Sequence, residues 1–270
     1  MECIEPYPLD CPPGQHRCRW FRLPNSCREQ SRQNQAGKET TMSNQEPNYY
    51  MPAAPSKASR TITLKSSASN RGFLLNHTCH RWVGYESALE RDFLTVLLAR
   101  SGVRSLREQP EPVSYVDADG QTRKHTCDAL VELDSGKKIA CDVKANSRRE
   151  SSGIDDVQRR VRDQNPGYAD MFIVRTDREI SRVQVRNAEL IQRARTLWDE
   201  EAIEELRRHL ASMHGFYPFA SLVALLDDEA VGFNAVLNLI DAQELNPVTR
   251  SRRLEATELE ICKAPNRKEI

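Results

Sequence analysis

Apolar residues recur along residues 85–103, YESALERDFLTVLLARSGV, at Leu89, Phe93, Val96, Leu97 and Ala99, a spacing that places them on one face of a helix. Gly102 is a natural stop for it, since glycine accepts the backbone at a helix end. The pattern then changes period. REQPEPVSYVDADGQTRKHTCDALVELDSGKKIACDVKA reads as three or four strands, with turns at Asp119-Gly120 and at Asp134-Ser135-Gly136. A polar, basic helix follows over about residues 154–163, and ADMFIVRT, residues 169–176, is an apolar run suited to a buried strand. Helix, antiparallel strands, helix and strand in this order predict an α/β (or α+β) class.

Past Arg186 the pattern is mainly helical: AELIQRARTLWDEEAIEELRRHLAS, FASLVALL and AVGFNAVLNLIDAQEL. In VTRSRRLEATELEI the alternating pairs Leu254 with Ala256 and Leu259 with Ile261 predict a short hairpin. Helices followed by a terminal β-ribbon resemble a winged-helix module, a common DNA- or protein-binding unit. Residues 1 to about 70 mix Pro, Ser, Asn, Gln and Arg without apolar periodicity, the composition of a disordered tail. Cys3, Cys11, Cys18 and Cys27, with His16 among them, lack the closely spaced cysteine pairs of a structural zinc site. Met42 and Met51 are alternative starts within that tail. Three units are expected: a disordered extension over 1–70, a mixed-sheet core over 71–187, and a winged-helix-like unit over 188–270.

Composition narrows the class without naming a chemistry. The 270 residues carry 39 basic and 39 acidic side chains, so no long-range field draws the chain to phosphate, and nucleic-acid binding must be local or partner-assisted. No apolar run approaches the roughly 18 residues of a membrane span, and the first 30 residues lack the apolar core of a secretory signal. The expectation is a cytoplasmic protein whose eight cysteines are reduced.

The candidate chemistry lies in the strands. If Asp134-Ser135-Gly136 is a three-residue hairpin loop with glycine at the left-handed position, Leu133 faces Lys137 and the register sets Asp128 opposite Asp142. Cross-strand neighbours sit about 5 Å apart, where like charges destabilise a sheet unless compensated. A divalent cation is the natural compensation. Lys144, two residues past Asp142, emerges on the same face, and carboxylates beside an ammonium describe a Mg²⁺ site able to hold a phosphate and activate a water. A solvated strand face also carries such residues, but Cys127, Ala129, Ala140, Cys141 and Val143 make these surroundings apolar, and buried acids need partners. Glu86 and Glu90 share a helix face, and Glu90 borders the apolar stripe, so it can complete the metal shell or form a surface ion pair. Alternation turns Cys127 and Cys141 to the opposite face, as buried thiols. His125 and His80 are either acid–base groups or structural; the metal route needs no histidine, and a lone strand-edge histidine is more often structural.

Y-E-S-A-L-E-R-D-F-L, Gly102-Val103, R-E-Q-P, R-K-H-T-C-D-A-L-V, A-C-D-V-K and, further on, F-I-V-R-T-D-R-E-I with Arg186-Asn187 resemble the TnsA-type endonuclease subunit of heteromeric cut-and-paste transposases, over roughly residues 81–187. The resemblance implies a restriction-endonuclease-like core in which a helix Glu, a strand Asp and a (D/E)-x-K strand bind Mg²⁺ and cut DNA. These map onto Glu90, Asp128 and Asp142-Val143-Lys144. It implies cleavage at the 5′ ends of a transposon, a partner DDE-type recombinase acting at the 3′ ends, an ATPase regulator contacted through the C-terminal domain, and a bacterial protein at the nucleoid when acting. Cys127 stands where the family usually has Pro before the strand Asp.

The mechanism expected on this basis is hydrolysis of double-stranded DNA by metal-activated water. Asp128 and Asp142, with Glu90 and the Val143 carbonyl, would hold one or two Mg²⁺ ions (or Mn²⁺), and Lys144 would position the water or steady developing charge. Arg148, Arg149, Arg159, Arg160 and Arg162 either meet the DNA backbone or form a solvated face. Gln109, in the E-Q-P turn, either orients Lys144 or the water, or caps the strand. Two other readings are a stand-alone restriction or repair nuclease of this fold and a non-catalytic DNA or protein adaptor. If the 134–136 turn sets the site's register, one inserted residue there flips the following side chains to the other face. Mg²⁺ binding to such a variant, measured by isothermal titration, is expected to be lost.

Overall fold

The computed structural model describes residues 52–64, 69–249, 251–256 and 258–263. A hairpin of β1 (Gly72–Asn76) and β2 (Arg81–Tyr85) precedes helix α1 (Ala88–Ala99). Strand β3 (Val103–Glu108) follows, then the hairpin β4 (Val113–Val116) and β5 (Thr122–His125), then the hairpin β6 (Ala129–Leu133) and β7 (Lys138–Val143). A short helix α2 (Asn146–Arg149), helix α3 (Ile154–Gln164) and strand β8 (Met171–Arg175) close this half. The rest comprises α4 (Arg182–Thr196), α5 (Glu200–Leu210), β9 (Phe216–Pro218), α6 (Phe219–Val223), α7 (Glu229–Asp241), β10 (Leu245–Pro247) and β11 (Glu260–Lys263). The class is mixed α/β, with seven helices and four small sheets among the described residues. None of those helices is long and apolar enough to cross a membrane.

The central sheet runs β3-β6-β7-β8, antiparallel except for the parallel pair β7 and β8. Its register comes from the loop that joins β6 to β7. The Leu133 N–H donates to the Lys137 carbonyl at 2.9 Å and the Gly136 N–H to Leu133 at 2.8 Å. Gly136 takes φ 81°, which only glycine adopts without strain. Glu132 then pairs with Lys138, and the ladder continues to Ala129 with Cys141.

Helix α1 is buried more completely than a single apolar stripe predicts. Phe93, Leu94, Leu97 and Leu98 pack with Val83, Leu106, Val131 and Val143 around the sheet, while α4 covers the other side of the helix. Gln192 of α4 donates to the Thr95 carbonyl at 2.9 Å, and the Arg195 guanidinium donates to the carbonyls of Leu98 (2.6 Å) and Ala99 (3.1 Å). The last turn of α1 contains no basic residue of its own, so Arg195 supplies the cation that a helix C-terminus favours. The boundary expected at 187/188 therefore falls inside α4, a helix shared by both halves. Asn187 itself holds the chain near the C-terminus, bonding the Arg252 carbonyl and the Leu254 N–H at 2.8 and 2.9 Å.

The expected hairpin within residues 248–261 has only its second arm. Leu254 and Leu259 are buried in the C-terminal core, and β11 pairs instead with β10 and β9 in the order β10-β11-β9. Burial of those leucines on the helices outweighs the local alternation.

The tail expected to be unstructured to about residue 70 is ordered in part. Residues 1–51, including the four cysteines, His16 and both alternative methionine starts, lie outside the described residues. Residues 52–64 pack on the core: Ala54 bridges Arg81, Ile62 is buried, and the Ser59 N–H donates to the Gln109 carbonyl at 2.8 Å. What draws this apolar-poor segment in is a buried ion pair. Arg81 Nη1 lies 2.8 Å from both carboxylate oxygens of Glu108, Ser56 Oγ and the Lys57 N–H donate to Glu108 Oε1 at 2.6 and 2.9 Å, and Arg81 Nη2 donates to the Leu106 carbonyl at 2.8 Å. Every group satisfies another, so polarity rather than apolar area anchors the segment. Glu108→Ala would strand the guanidinium without its counter-charge. It is expected to destabilise the fold by about 3–5 kcal/mol, measured by urea unfolding.

Candidate active site

Asp128 lies at the end of β6. One residue beyond the pair Ala129–Cys141, the Asp128 N–H donates to the same Cys141 carbonyl at 2.9 Å. Two residues thus oppose one, a β-bulge, which bends the strand and re-aims a side chain. The bulge accounts for the cysteines. Cys141 packs beneath α1 with Val143, whereas Cys127 lies with Ala140 and Ala169, its Sγ 3.3 Å from the Tyr168 hydroxyl. They were expected on one face, but the extra residue shifts the phase of alternation. Burial raises the pKa of both thiols, that of Cys127 to about 12, so neither is poised as a nucleophile.

The bulge also changes the arrangement of the acids. Asp128 does not stand squarely opposite Asp142 in the ladder. Its Oδ2 accepts from the Val143 N–H at 2.7 Å, so Val143, expected to offer its carbonyl, meets Asp128 through its N–H. Asp142 is buried and its Oδ2 accepts from Gln158 Nε2 of α3 at 2.6 Å; His125 Nε2 lies 3.1 Å from Oδ1 and 3.2 Å from Oδ2. Glu90 caps its own helix: Oε1 accepts from Ser87 Oγ at 3.0 Å and Oε2 from the Glu86 N–H at 2.9 Å, while Ser87 Oγ accepts from the Glu90 N–H at 3.1 Å. Ser87 is the N-cap, and Glu90 closes back on its hydroxyl and on the N–H one residue before it, at an N-terminus whose dipole favours an anion.

The four expected residues nonetheless share one electrostatic neighbourhood. Asp128 keeps some contact with solvent, yet protein surrounds it densely enough that desolvation is the largest cause of its raised pKa. Repulsion from Glu90 and then Asp142 adds to this, and attraction from Lys144 and the Val143 N–H opposes it, leaving the carboxyl pushed up to about 7. Burial and like charges both disfavour ionisation. Lys144 alone does not offset them.

Mg²⁺ would answer that imbalance, and the donors suit it in kind, being carboxylate oxygens. Their arrangement is less complete than expected. Each carboxylate is turned to another partner, and among the described residues no group of three or more His, Cys, Asp or Glu side chains converges as a metal site. Asp142 is held on the side of α3 by Gln158, and Glu90 belongs to α1, which covers the face where Cys141 and Val143 pack. Asp128 stands at the sheet end between them.

The chain matches no family model, and no curated protein is significantly similar to it.

Gln158 and His125 are partners of Asp142 that the sequence reading missed. Gln158 carried a signal, since it falls on the buried stripe of α3 between Ile154 and Val161, where a polar residue needs a polar reason. His125 had none, because its contact with Asp142 comes from the β4–β5 hairpin folding over the sheet end. Most of the arginines in question serve the protein itself: Arg149 pairs with Asp155, Arg159 and Arg160 with Asp156, and Arg162 with Asp163. They form a solvated, charge-balanced face in this structure.

An acid whose folded pKa lies above its unfolded value of 3.8 binds its proton more tightly when folded. Its contribution to stability is therefore present below about pH 4 and is lost as the pH rises through about 7. Asp128→Asn keeps an acceptor for Val143 and removes the charge. In EDTA it is expected to be more stable than wild type above about pH 7 and to lose that advantage towards about pH 4, read from urea unfolding midpoints across the range.

Proposed function

We propose that this chain is a Mg²⁺-dependent DNA endonuclease, acting as the 5′-end-cleaving subunit of a heteromeric transposase. The observation that carries the reading is Asp128, a carboxyl at the end of a mixed sheet that is repelled by the charges of Glu90 and Asp142 and attracted by that of Lys144. That set of charges supports the restriction-endonuclease-like assignment drawn from the resemblance over residues 81–187. Asp128 and Asp142, with Glu90 and the Val143 carbonyl, would hold the cation. Once bound, Mg²⁺ supplies an activated water and neutralises charge on the scissile phosphate. The protein's own contributions are separable from it. Lys144 offers an ammonium to a phosphate oxygen or to charge developing in the transition state. Gln158 and His125 restrict the swing of Asp142, and the α1 N-terminus holds Glu90 close to Asp128.

Charge balance favours a subunit over a stand-alone nuclease. A neutral chain whose basic helix is paired to its own acids has little field with which to find DNA unaided. In the C-terminal half, a helix followed by strand, two helices and two strands, with those strands in one antiparallel sheet, supports a winged-helix-like unit. Helix α7, EAVGFNAVLNLID, has no Lys or Arg and is buried over much of its length. It is unsuited to a DNA groove, so this unit is assigned to protein contact, with the ATPase regulator as the partner the resemblance suggests.

The test is cleavage of plasmid carrying the transposon ends, with and without the recombinase. Mg²⁺-dependent cutting at the 5′ ends that requires the recombinase is expected, and Asp128→Ala or Lys144→Ala should each lower it by roughly 10²-fold or more. Robust unaided cleavage would point to a stand-alone nuclease, and undiminished cleavage by Asp128→Ala would overturn the assigned site.

A further inference from the structure

Gln109 follows the last residue of β3 and is unusual in three independent ways. It is buried, it has φ 39° although it is not glycine, and its side-chain Nε2 has no hydrogen-bond partner within the protein. Left-handed backbone at a non-glycine residue is strained, and a buried donor without an acceptor forfeits its desolvation energy. Two such costs at one residue call for a compensating role.

Its position supplies one. The Gln109 N–H donates to the Asp128 carbonyl at 3.0 Å, so Gln109 is the cross-strand neighbour of the candidate catalytic acid. Its side chain is also held: Arg60 Nε donates to Gln109 Oε1 at 3.1 Å, and the same guanidinium pairs with Glu86 at the start of α1, whose N–H binds Glu90. With Oε1 committed to Arg60, the amide plane is fixed and Nε2 is the free end. The donor thus belongs to the residue paired across the strands with Asp128, and it lacks an acceptor.

We propose that Gln109 is a further residue of the site, whose side-chain amide, oriented by Arg60, donates to an oxygen that arrives with the substrate complex. This rests on the nuclease reading. The acceptor is either a phosphate oxygen of the DNA or a water carried by the cation, which present the same chemistry to an N–H donor. Residues 52–64 are then part of the working site, because Arg60 sets the amide.

Gln109→Gly separates this role from a structural one, since glycine accepts the backbone without strain while the donor is lost. Relief of the strained backbone offsets only part of the cavity left by a fully buried side chain, so turnover is read well below the melting temperature and is expected to fall about tenfold or more, the worth of a hydrogen bond to a charged group. Gln109→Glu, which keeps an acceptor for Arg60 but has no N–H donor, should show the same loss. Two further measurements identify the acceptor. Weaker binding of duplex DNA in EDTA, by fluorescence anisotropy, indicates the phosphate; weaker binding of Mg²⁺ alone, by isothermal titration, indicates the cation's water. If wild type cleaves DNA and both variants match it in turnover, DNA affinity and Mg²⁺ affinity, the proposal falls and the nuclease reading stands. A lowered melting temperature in Gln109→Gly together with a fully active Gln109→Glu also overturns it, in favour of a structural role. If wild type cleaves no DNA with recombinase and Mg²⁺ present, the nuclease reading fails and takes this proposal with it.

Discussion

A guanidinium and a carboxylate buried together, Arg81 and Glu108, hold the site end of the molecule in place. Removing two charges from water costs several kcal/mol each, and the attraction between them repays this only when the remaining donors and acceptors are also satisfied. Here they are. Glu108 receives Arg81, Ser56 and the Lys57 N–H, and Arg81 also reaches backbone carbonyls of Trp82 and Leu106. Three separate pieces of chain thereby meet at one point: the segment before β1, the strand β2 and the end of β3. Gln109 follows directly, and its N–H fixes the Asp128 carbonyl. The buried pair acts on the site through two covalent neighbours and one hydrogen bond.

Asp128 is where that scaffold concentrates charge. The bulge brings its carboxylate to the N–H of Val143 at the end of β7, and repulsion from Glu90 and then Asp142 raises its pKa. Glu90 is held at the start of its helix by the Ser87 hydroxyl and the Glu86 N–H, while Asp142 is engaged by Gln158 and His125. The partners that restrain the carboxylates are one side-chain amide, a hydroxyl, backbone N–H groups and an imidazole. None of them is an arginine, and each is a weaker hold than a bidentate guanidinium. Such holds keep the acids ordered without cancelling the repulsion that makes the cluster receptive to a cation.

Much of this was legible in the sequence, for local reasons. The turn Asp134-Ser135-Gly136 set the β6–β7 register because a left-handed glycine in a three-residue loop admits one pairing, and 133 with 137 carries that pairing to 129 with 141. The helix bearing Glu90 was visible in its periodicity, and the strand after the basic helix as a short apolar run. The bulge at Asp128 was not, because no glycine marks it and the preceding Cys127 reads equally well in either phase. Arg60 and His125 were hidden for another reason. Each reaches the site from a segment with little apolar content, so its place depends on tertiary hydrogen bonds that no spacing encodes. The misplaced hairpin after residue 248 shows the opposite failure, a local alternation overridden when Leu254 and Leu259 were buried against helices.

Helix α1 joins the two halves of the molecule end to end. Its N-terminus holds Glu90 at the acid cluster, and its C-terminal carbonyls accept from Arg195 of α4, whose guanidinium also pairs with Asp241 at the end of α7 at 2.7 and 2.8 Å. A single arginine thus ties the last turn of α1 to the last turn of α7. Because α1 is buried by the sheet on one side and by α4 on the other, a shift of the C-terminal helices cannot leave it in place without opening apolar surface between them. The N-terminal end of a rigid helix follows its C-terminal end. The position of Glu90 relative to Asp128 therefore depends on the C-terminal helices as well as on the sheet, and a division of the chain at residue 187 would cut through α4, whose Gln192 and Arg195 hold α1.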